Sequence, residues 1–166
     1  MKQFNDFSKF TKHIEKVATL YDIKETKVLQ YLGLFLEEAM KETIGHLQRG
    51  AGTYESWAPL KPATIADKAR KGYIFNDEAN PLYRTGKLQD SIKHTVLPHH
   101  LVIGSDDEVM IYQEFGVPSH NLPPRSVMGL TMFKSKEFMV LVLGKFIQYW
   151  IMDQKFTLLD SKPIRK

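Results

Sequence analysis

The sequence contains no cysteine. That absence excludes disulfides, thiolate nucleophiles and every cysteine-dependent zinc or iron–sulfur site. The sequence also lacks a glycine-rich phosphate-binding loop, a nucleophile elbow and a zinc-protease motif. None of its six histidines lies four residues from another, which is the spacing of a helical metal site. We therefore expect no metal, no cofactor and no enzymatic activity.

Long apolar runs are also missing. The segment MKQFNDFSKF carries Asn5, Asp6 and Ser8 where a signal peptide needs an apolar core, so we expect a cytoplasmic location. The most apolar stretch covers only about 15 residues and contains Lys145 and Gln148, whereas a membrane span needs about 20 apolar residues. No membrane partner is expected.

The charged residues are not strongly concentrated in any one part of the chain. Lys and Arg total 23 against 19 Asp and Glu, a net charge of +4, and the excess is scattered. DNA-binding proteins usually gather Lys and Arg so that several phosphates are neutralised together. A basic nucleic-acid-binding domain is nevertheless an alternative function, with phosphate contacts from Lys68, Arg70, Lys71 and Arg84.

The N-terminal part has the pattern of two helices. Phenylalanines at positions 4, 7 and 10 begin an apolar series with helical spacing. Asp22 and Glu25 fit a capping box at the start of a second helix, predicted over residues 23–48. Gly33 within this helix indicates a close packing contact or a bend.

The middle of the chain alternates short elements with turns. We predict a helix over residues 62–71, an exposed mobile connection over 72–81, and a short turn or helix from Thr85-Gly86 to Asp90. The Thr85 hydroxyl is placed to cap this short turn or helix. Two paired strands are predicted over 92–97 and 101–104.

A second group of elements comes after the strands. A helix over 108–115, capped by Asp106 or Asp107, is expected to pack inward through Tyr112 and Phe115 and to stop at Gly116. Residues 117–124 are expected to be irregular because they contain three prolines.

The C-terminal part is predicted to contain a strand and a helix. Residues 127–131 fit a strand, and 138–152 keep helical spacing, although 139–143 alone also fit a buried strand. With 166 residues, the chain is expected to form one α+β domain with long N-terminal helices, a small curved antiparallel sheet and a C-terminal helix. Within this domain, residues 1–50 are expected to form the helical N-terminal part, residues 54–130 the α+β core, and residues 132–166 the C-terminal helix and tail.

Some residues allow more than one interpretation. Ser91, His94 and Asp90 are close enough in sequence to suggest a hydrolase, although such groups are common by chance. Tyr54 and Trp57 flank a proline-rich turn, where they either anchor a partner or pin the loop onto their own domain.

Five segments occur in an order that resembles one family. They are 57–65 (WAPLKPATI), 82–92 (LYRTGKLQDSI), 102–105 (VIGS), 111–116 (IYQEFG) and 123–129 (PPRSVMG). Together they resemble the phage virion morphogenesis family, the tail-completion or neck proteins of Mu-like and related tailed phages. This chain departs from the family in having Val127-Met128 where an aromatic or leucine pair is common.

The resemblance implies a structural subunit of the virion. It implies an α+β protein that joins copies of itself into a ring at the head–tail junction, contacts the head–tail connector or the tail terminator and tube proteins, and lets DNA pass without reading its sequence. The location would be the virion, after assembly in the host cytoplasm. Candidate interface residues are Tyr54, Trp57, Arg84, Thr85, Gly86, Phe115, Gly116 and Arg125. Of these, Tyr54, Trp57, Arg84 and Arg125 are the candidates expected to be exposed, and they are chosen because aromatics and arginine are enriched at interface centres.

Overall fold

The computed structural model of the protein describes residues 6–74 and 79–152. The described residues form six α-helices and a two-stranded antiparallel sheet, so the α+β class is confirmed. The elements are α1 (Phe7–Thr19), α2 (Tyr21–Thr43), α3 (Pro62–Arg70), α4 (Lys87–Asp90), β1 (Ile92–Leu97), β2 (His100–Ser105), α5 (Val109–Phe115), a 3-10 turn (Pro118–His120) and α6 (Met128–Ile151).

The long helix α2 is the centre of the fold. It packs against α6 on one side and against the β1–β2 hairpin on another. Gly33 allows the approach to the hairpin, since a Cβ at this position would lie 2.3 Å from His94 Cδ2. The predicted close packing at this glycine is confirmed.

Apolar side chains are buried in two clusters. The first joins the end of α2 to β1, α5 and the start of α6, and comprises Met40, Ile44, Trp57, Ile92, Met110 and Val127. The second lies between α2 and α6 and comprises Val28, Leu32, Val142 and Phe146. Burial of these side chains is the main favourable contribution to folding.

The hairpin closely matches its prediction. In the observed register Ile92 pairs with Ser105, and Leu97 pairs with His100. The turn between the strands places His99 at a φ of 61°, in the left-handed region. The helix predicted over 62–71, the short turn or helix predicted from Thr85-Gly86 to Asp90 and the helix predicted over 108–115 are also confirmed within a residue or two.

The boundaries of α2 differ from the prediction. The capping box is wrong: α2 already begins at Tyr21, and no side chain caps its first turn. The helix ends at Thr43 instead of Gln48 because the chain turns at Gly45, where φ is 95°. Gln48 instead folds back and donates a hydrogen bond to Thr43 O over 3.2 Å.

The predicted strand at 127–131 is also wrong. These residues open α6, which starts at Met128. A carboxylate from another helix caps this end: Glu114 of α5 accepts hydrogen bonds from the backbone N–H groups of Val127, Met128 and Gly129 over 2.7–3.0 Å. Helix N-termini need such acceptors, and this one comes from an element distant in sequence.

The connection at 72–81 is partly buried, contrary to its prediction. Residues 75–78 lie outside the described part, but Asn80 is only 8% exposed and Pro81 is buried. Pro81 O accepts a hydrogen bond from Gly45 N over 2.8 Å, which fastens this segment to the end of α2. The C-terminal helix itself is confirmed through Ile151, and residues beyond 152 lie outside the described part.

No helix in residues 6–74 and 79–152 is both long enough and apolar enough to cross a membrane.

Candidate functional site

A basic cleft lies between α3, the turn at 82–84, α5 and the loop at 120–125. Its volume is about 390 Å³, within the range of ligand-binding sites. Its basic lining residues are Lys61, Lys68, Arg84, His120 and Arg125. Its apolar lining residues are Leu60, Leu82, Leu88, Val109, Leu122 and Pro123. Gln113 and Asn121 also line it, and none of its described lining residues is acidic.

Lys68 is a structural part of the cleft wall. Only 2% of the residue is exposed, and its ammonium donates to the carbonyls of Ala79, Asn80 and Tyr83 over 2.5–2.8 Å. Burial, together with the charge of Arg84, lowers the pKa of this ammonium. Because an ammonium has three donors, these carbonyls use all of them, and Lys68 has none left for a DNA phosphate.

The other proposed phosphate contacts converge on one acid. Asp67 accepts hydrogen bonds from Arg70 over 3.0 Å and from Lys71 over 3.1 Å, and Arg84 approaches it at 3.4 Å. The bonds from Lys71 and Arg70 lower the pKa of Asp67. The cluster formed by Arg70, Lys71 and Arg84 therefore has an acid at its centre and the buried Lys68 beside it.

Arg125 is buried, so the prediction that it is exposed is wrong. The residue is 5% exposed, and its Nε and one Nη donate to Ala58 O over 3.3 and 3.0 Å. Burial lowers the pKa of its guanidinium, which nevertheless stays charged at any ordinary pH. Its backbone N–H donates to Gln113 O over 2.6 Å, which ties the 120–125 loop to α5.

The predicted exposure of Trp57 is wrong as well. The residue is 3% exposed, and its indole N–H donates to Ser126 O over 3.2 Å. Tyr54 is half-buried, with its ring against Gly129 and 6.2 Å from the ring of Phe133. Both aromatics pin the 50–60 loop onto their own chain, which is the second of the two interpretations of these residues.

The remaining candidates lie at the surface. Arg84 and Thr85 are exposed, and Gly86 adopts a φ of 85° at the start of α4. The predicted cap at this turn is a long contact, 3.5 Å between Lys87 N and Thr85 Oγ1. Gly116 ends α5 at a φ of 71°, where a Cβ would lie 2.8 Å from Leu122 O.

Helix α5 does not pack inward as predicted. Phe115 is 76% exposed and Ile111 is 61% exposed, with Val109 and Tyr112 also exposed beside them. Only Met110 of this helix is buried. We call these four exposed residues the α5 patch. The predicted cap is confirmed, since Asp107 Oδ1 accepts from Val109 N over 3.0 Å.

A second exposed apolar surface lies on α6. Val140, Leu143, Ile147 and Ile151 are between 40% and 70% exposed and recur at steps of three and four residues, which places them on one helical face. We call them the α6 stripe. Leu143 and Ile147 also border an apolar groove of about 320 Å³ between α2 and α6. The sequence shows that these residues are apolar and share one helical face, but it does not show whether another element packs over them.

Ser91 and His94, which the hydrolase interpretation would pair, are not hydrogen-bonded to each other in the structure. Ser91 Oγ bonds to Leu88 O and Ser105 Oγ over 2.7 and 2.6 Å. His94 instead contacts Glu37 and Gln30, over 2.5 and 2.9 Å. Ser91 and His94 thus have separate partners, and each is explained by packing of the hairpin.

One cluster gathers possible metal ligands outside the cleft. Asp22, Glu25 and His99 bring one ligand atom each to within 4.8 Å of one another. The two Glu25 oxygens already accept from the Tyr21 hydroxyl and contact His99 Nδ1, each over 2.7 Å. These hydrogen bonds, which fasten the hairpin turn to α2, account for the arrangement.

The cleft also unites the segments quoted for the resemblance. Residues of four of them line it: Lys61, Arg84, Gln113 and Arg125 each come from a different one. No family model, curated protein or solved structure matches the chain. The resemblance accordingly remains a prediction based on those segments.

Proposed function

We propose that this protein is a structural, non-enzymatic virion subunit of the phage neck or tail-completion type. In this proposal copies of the chain join head to tail into a ring at the head–tail junction, where they contact the connector or the tail terminator and tube proteins. DNA passes through the ring without sequence-specific binding. The segment order in residues 57–129 suggests the family, and the exposed apolar surfaces support the assembly.

The observation that carries the proposal is the pair of unlike apolar surfaces. The α5 patch and the α6 stripe lie on different helices, and Phe115 and Val140 are 76% and 70% exposed. Contiguous exposed apolar patches mark interaction sites. When two different surfaces of one chain pair between copies, the contact is heterologous, and repetition gives a ring if the rotation closes.

The test measures the mass of the protein in solution across a concentration series, by light scattering after size exclusion. We expect a discrete oligomer that dissociates on dilution and, by electron microscopy, closed rings with a central opening. Ile111→Ser with Phe115→Ser removes the α5 patch, and Val140→Ser with Ile147→Ser removes the α6 stripe. Each double variant should remain monomeric where the wild type assembles.

Mixing the two double variants gives the sharpest result. Each retains the surface that the other lacks, so an equimolar mixture should form a dimer that does not grow. Leu97→Ser with Val102→Ser is the matched control: these residues are 50% and 53% exposed on the hairpin, and assembly should be unchanged. A wild type that is monomeric at every concentration, or assembly that survives both variants, contradicts the proposal.

A further inference from the structure

Gln113, one of the residues that line the basic cleft, carries a buried hydrogen-bond acceptor without a donor. Gln113 Oε1 is shielded from solvent and has no partner among the described residues. Leaving such an atom unpaired costs about 1–3 kcal/mol, and native proteins rarely retain one without a reason. Gln113 lines the cleft, so rotation of its side chain toward a ligand that supplies a donor would remove the penalty.

The same cleft holds positive charge with donors to spare. Arg125 has five N–H donors, and in the described part of the chain its side chain bonds only to Ala58 O. Arg84 and Lys61 are exposed at the cleft. The nearby Asp67 carboxylate is shared by three cations and neutralises Arg84 only in part.

We propose that the basic cleft binds an acidic peptide segment of a partner protein, with a carboxylate on Arg125, Arg84 and Lys61 and a backbone N–H on Gln113 Oε1. Arginine pairs with carboxylates through two parallel hydrogen bonds. The apolar lining, such as Leu82 and Leu122, takes the side chain next to the acid. This interaction involves a different partner from the self-assembly proposed above, and the two surfaces share Val109 at the cleft edge.

The orphan acceptor favours a peptide over nucleic acid. A peptide offers a backbone N–H beside its acidic side chain, whereas the phosphate groups that pair with basic residues have no donor, and the donors of nucleic acids lie on the bases and the RNA 2′-hydroxyl. Apolar walls likewise suit a peptide, since phosphate sites are dominated by charge and polar contacts.

The experiment titrates the isotope-labelled protein with three probes and tracks its amide resonances. The probes are the peptide acetyl-Leu-Glu-Leu-amide, its partner acetyl-Leu-Gln-Leu-amide, and inorganic phosphate. We expect the glutamate peptide to shift resonances of the cleft and to bind at least about tenfold more tightly than either other probe. Equal binding of the two peptides, phosphate binding as tight as the glutamate peptide, or shifts outside the cleft would overturn the proposal.

Variants separate binding from folding. Lys61→Gln with Arg84→Gln changes exposed residues and should weaken the glutamate peptide about tenfold or more. Lys93→Gln, an exposed lysine on β1 outside the cleft, should leave the affinity unchanged. Gln113→Leu should weaken binding severalfold while the melting temperature holds or rises, because the orphan acceptor is gone. Unchanged affinity in Gln113→Leu would overturn the role of that residue.

The α6 double variant keeps this test independent of assembly. Peptide binding should persist in Val140→Ser with Ile147→Ser, which lies outside the cleft. If the peptide fails to bind while rings still form, the cleft proposal alone is wrong. If the peptide binds and no assembly occurs, the self-assembly proposal alone is wrong.

Discussion

Glu37 is a single residue that connects α2 to the hairpin. One carboxylate oxygen contacts Lys41 at 2.5 Å, and the other accepts from the backbone N–H of His94 over 3.1 Å and contacts its Nδ1. The hydrogen bond from Lys41 lowers the pKa of Glu37 below its ordinary 4.5; burial opposes this, and the bond from His94 adds to it. The charged form is therefore favoured by folding.

Glu37→Gln should destabilise the protein in a pH-dependent way. A lowered pKa in the folded state contributes stability that is complete above the ordinary value of 4.5 and is lost as pH falls through the folded value. We expect a loss of about 1–3 kcal/mol near neutral pH that shrinks in acid. Urea unfolding at neutral pH and in acid measures this loss of stability, and Glu38→Gln, at an exposed position, is the control. An equal loss of stability at neutral pH and in acid would contradict the argument.

Glu114 shows, again at the scale of one residue, why the sequence predicts a strand over 127–131 where the structure has the start of α6. Its carboxylate caps α6, and it also accepts a hydrogen bond from the Ser126 hydroxyl over 2.5 Å. A cap supplied from 12 residues away leaves no local signature, and β-branched residues at 127 and 131 locally favour a strand. Here the tertiary contact overrides local preference.

At the scale of elements, the hairpin and short helices could be predicted because their signals are local. Pro62 at the first turn of α3 and Asp107 before α5 mark helix starts, and alternation marks β1 and β2. The cleft could not be predicted, since Lys68, Arg84 and Arg125 meet only when three separate segments fold together. The burial of Trp57 and the exposure of Phe115 depend in the same way on neighbours that periodicity does not reveal.

Two glycines in long helices should respond to alanine in opposite directions. A Cβ at Gly33 would lie 2.3 Å from His94 and 2.9 Å from Leu101, so Gly33→Ala should cost about 1–3 kcal/mol through overpacking. A Cβ at Gly144 on α6 meets nothing within 4 Å, so Gly144→Ala should stabilise by about 0.5–1 kcal/mol. Thermal unfolding of both variants compares them. Stabilisation by both would mean that α2 and the hairpin are not in close contact.

At the scale of the whole molecule, salt separates assembly from nucleic-acid binding. Contacts between apolar surfaces do not weaken when charges are screened, whereas DNA binding by phosphate contacts falls steeply. We expect the solution mass to hold between about 0.1 and 0.5 M NaCl, a range over which surface charges become screened. Retention on DNA, measured in parallel, should be weak throughout. Dissociation of the oligomer in high salt would indicate charge-driven contacts instead.

The buried ammonium of Lys68 has a chemical consequence. Amine-reactive reagents need a solvent-accessible, transiently deprotonated amine, and this one is enclosed by three carbonyls with 2% of the residue exposed. A labelling reaction on the native chain would modify exposed lysines such as Lys93 and spare Lys68, which becomes reactive only when the segment around Asn80 opens. The extent of modification at Lys68, measured by mass spectrometry, therefore reports how often the segment around Asn80 opens.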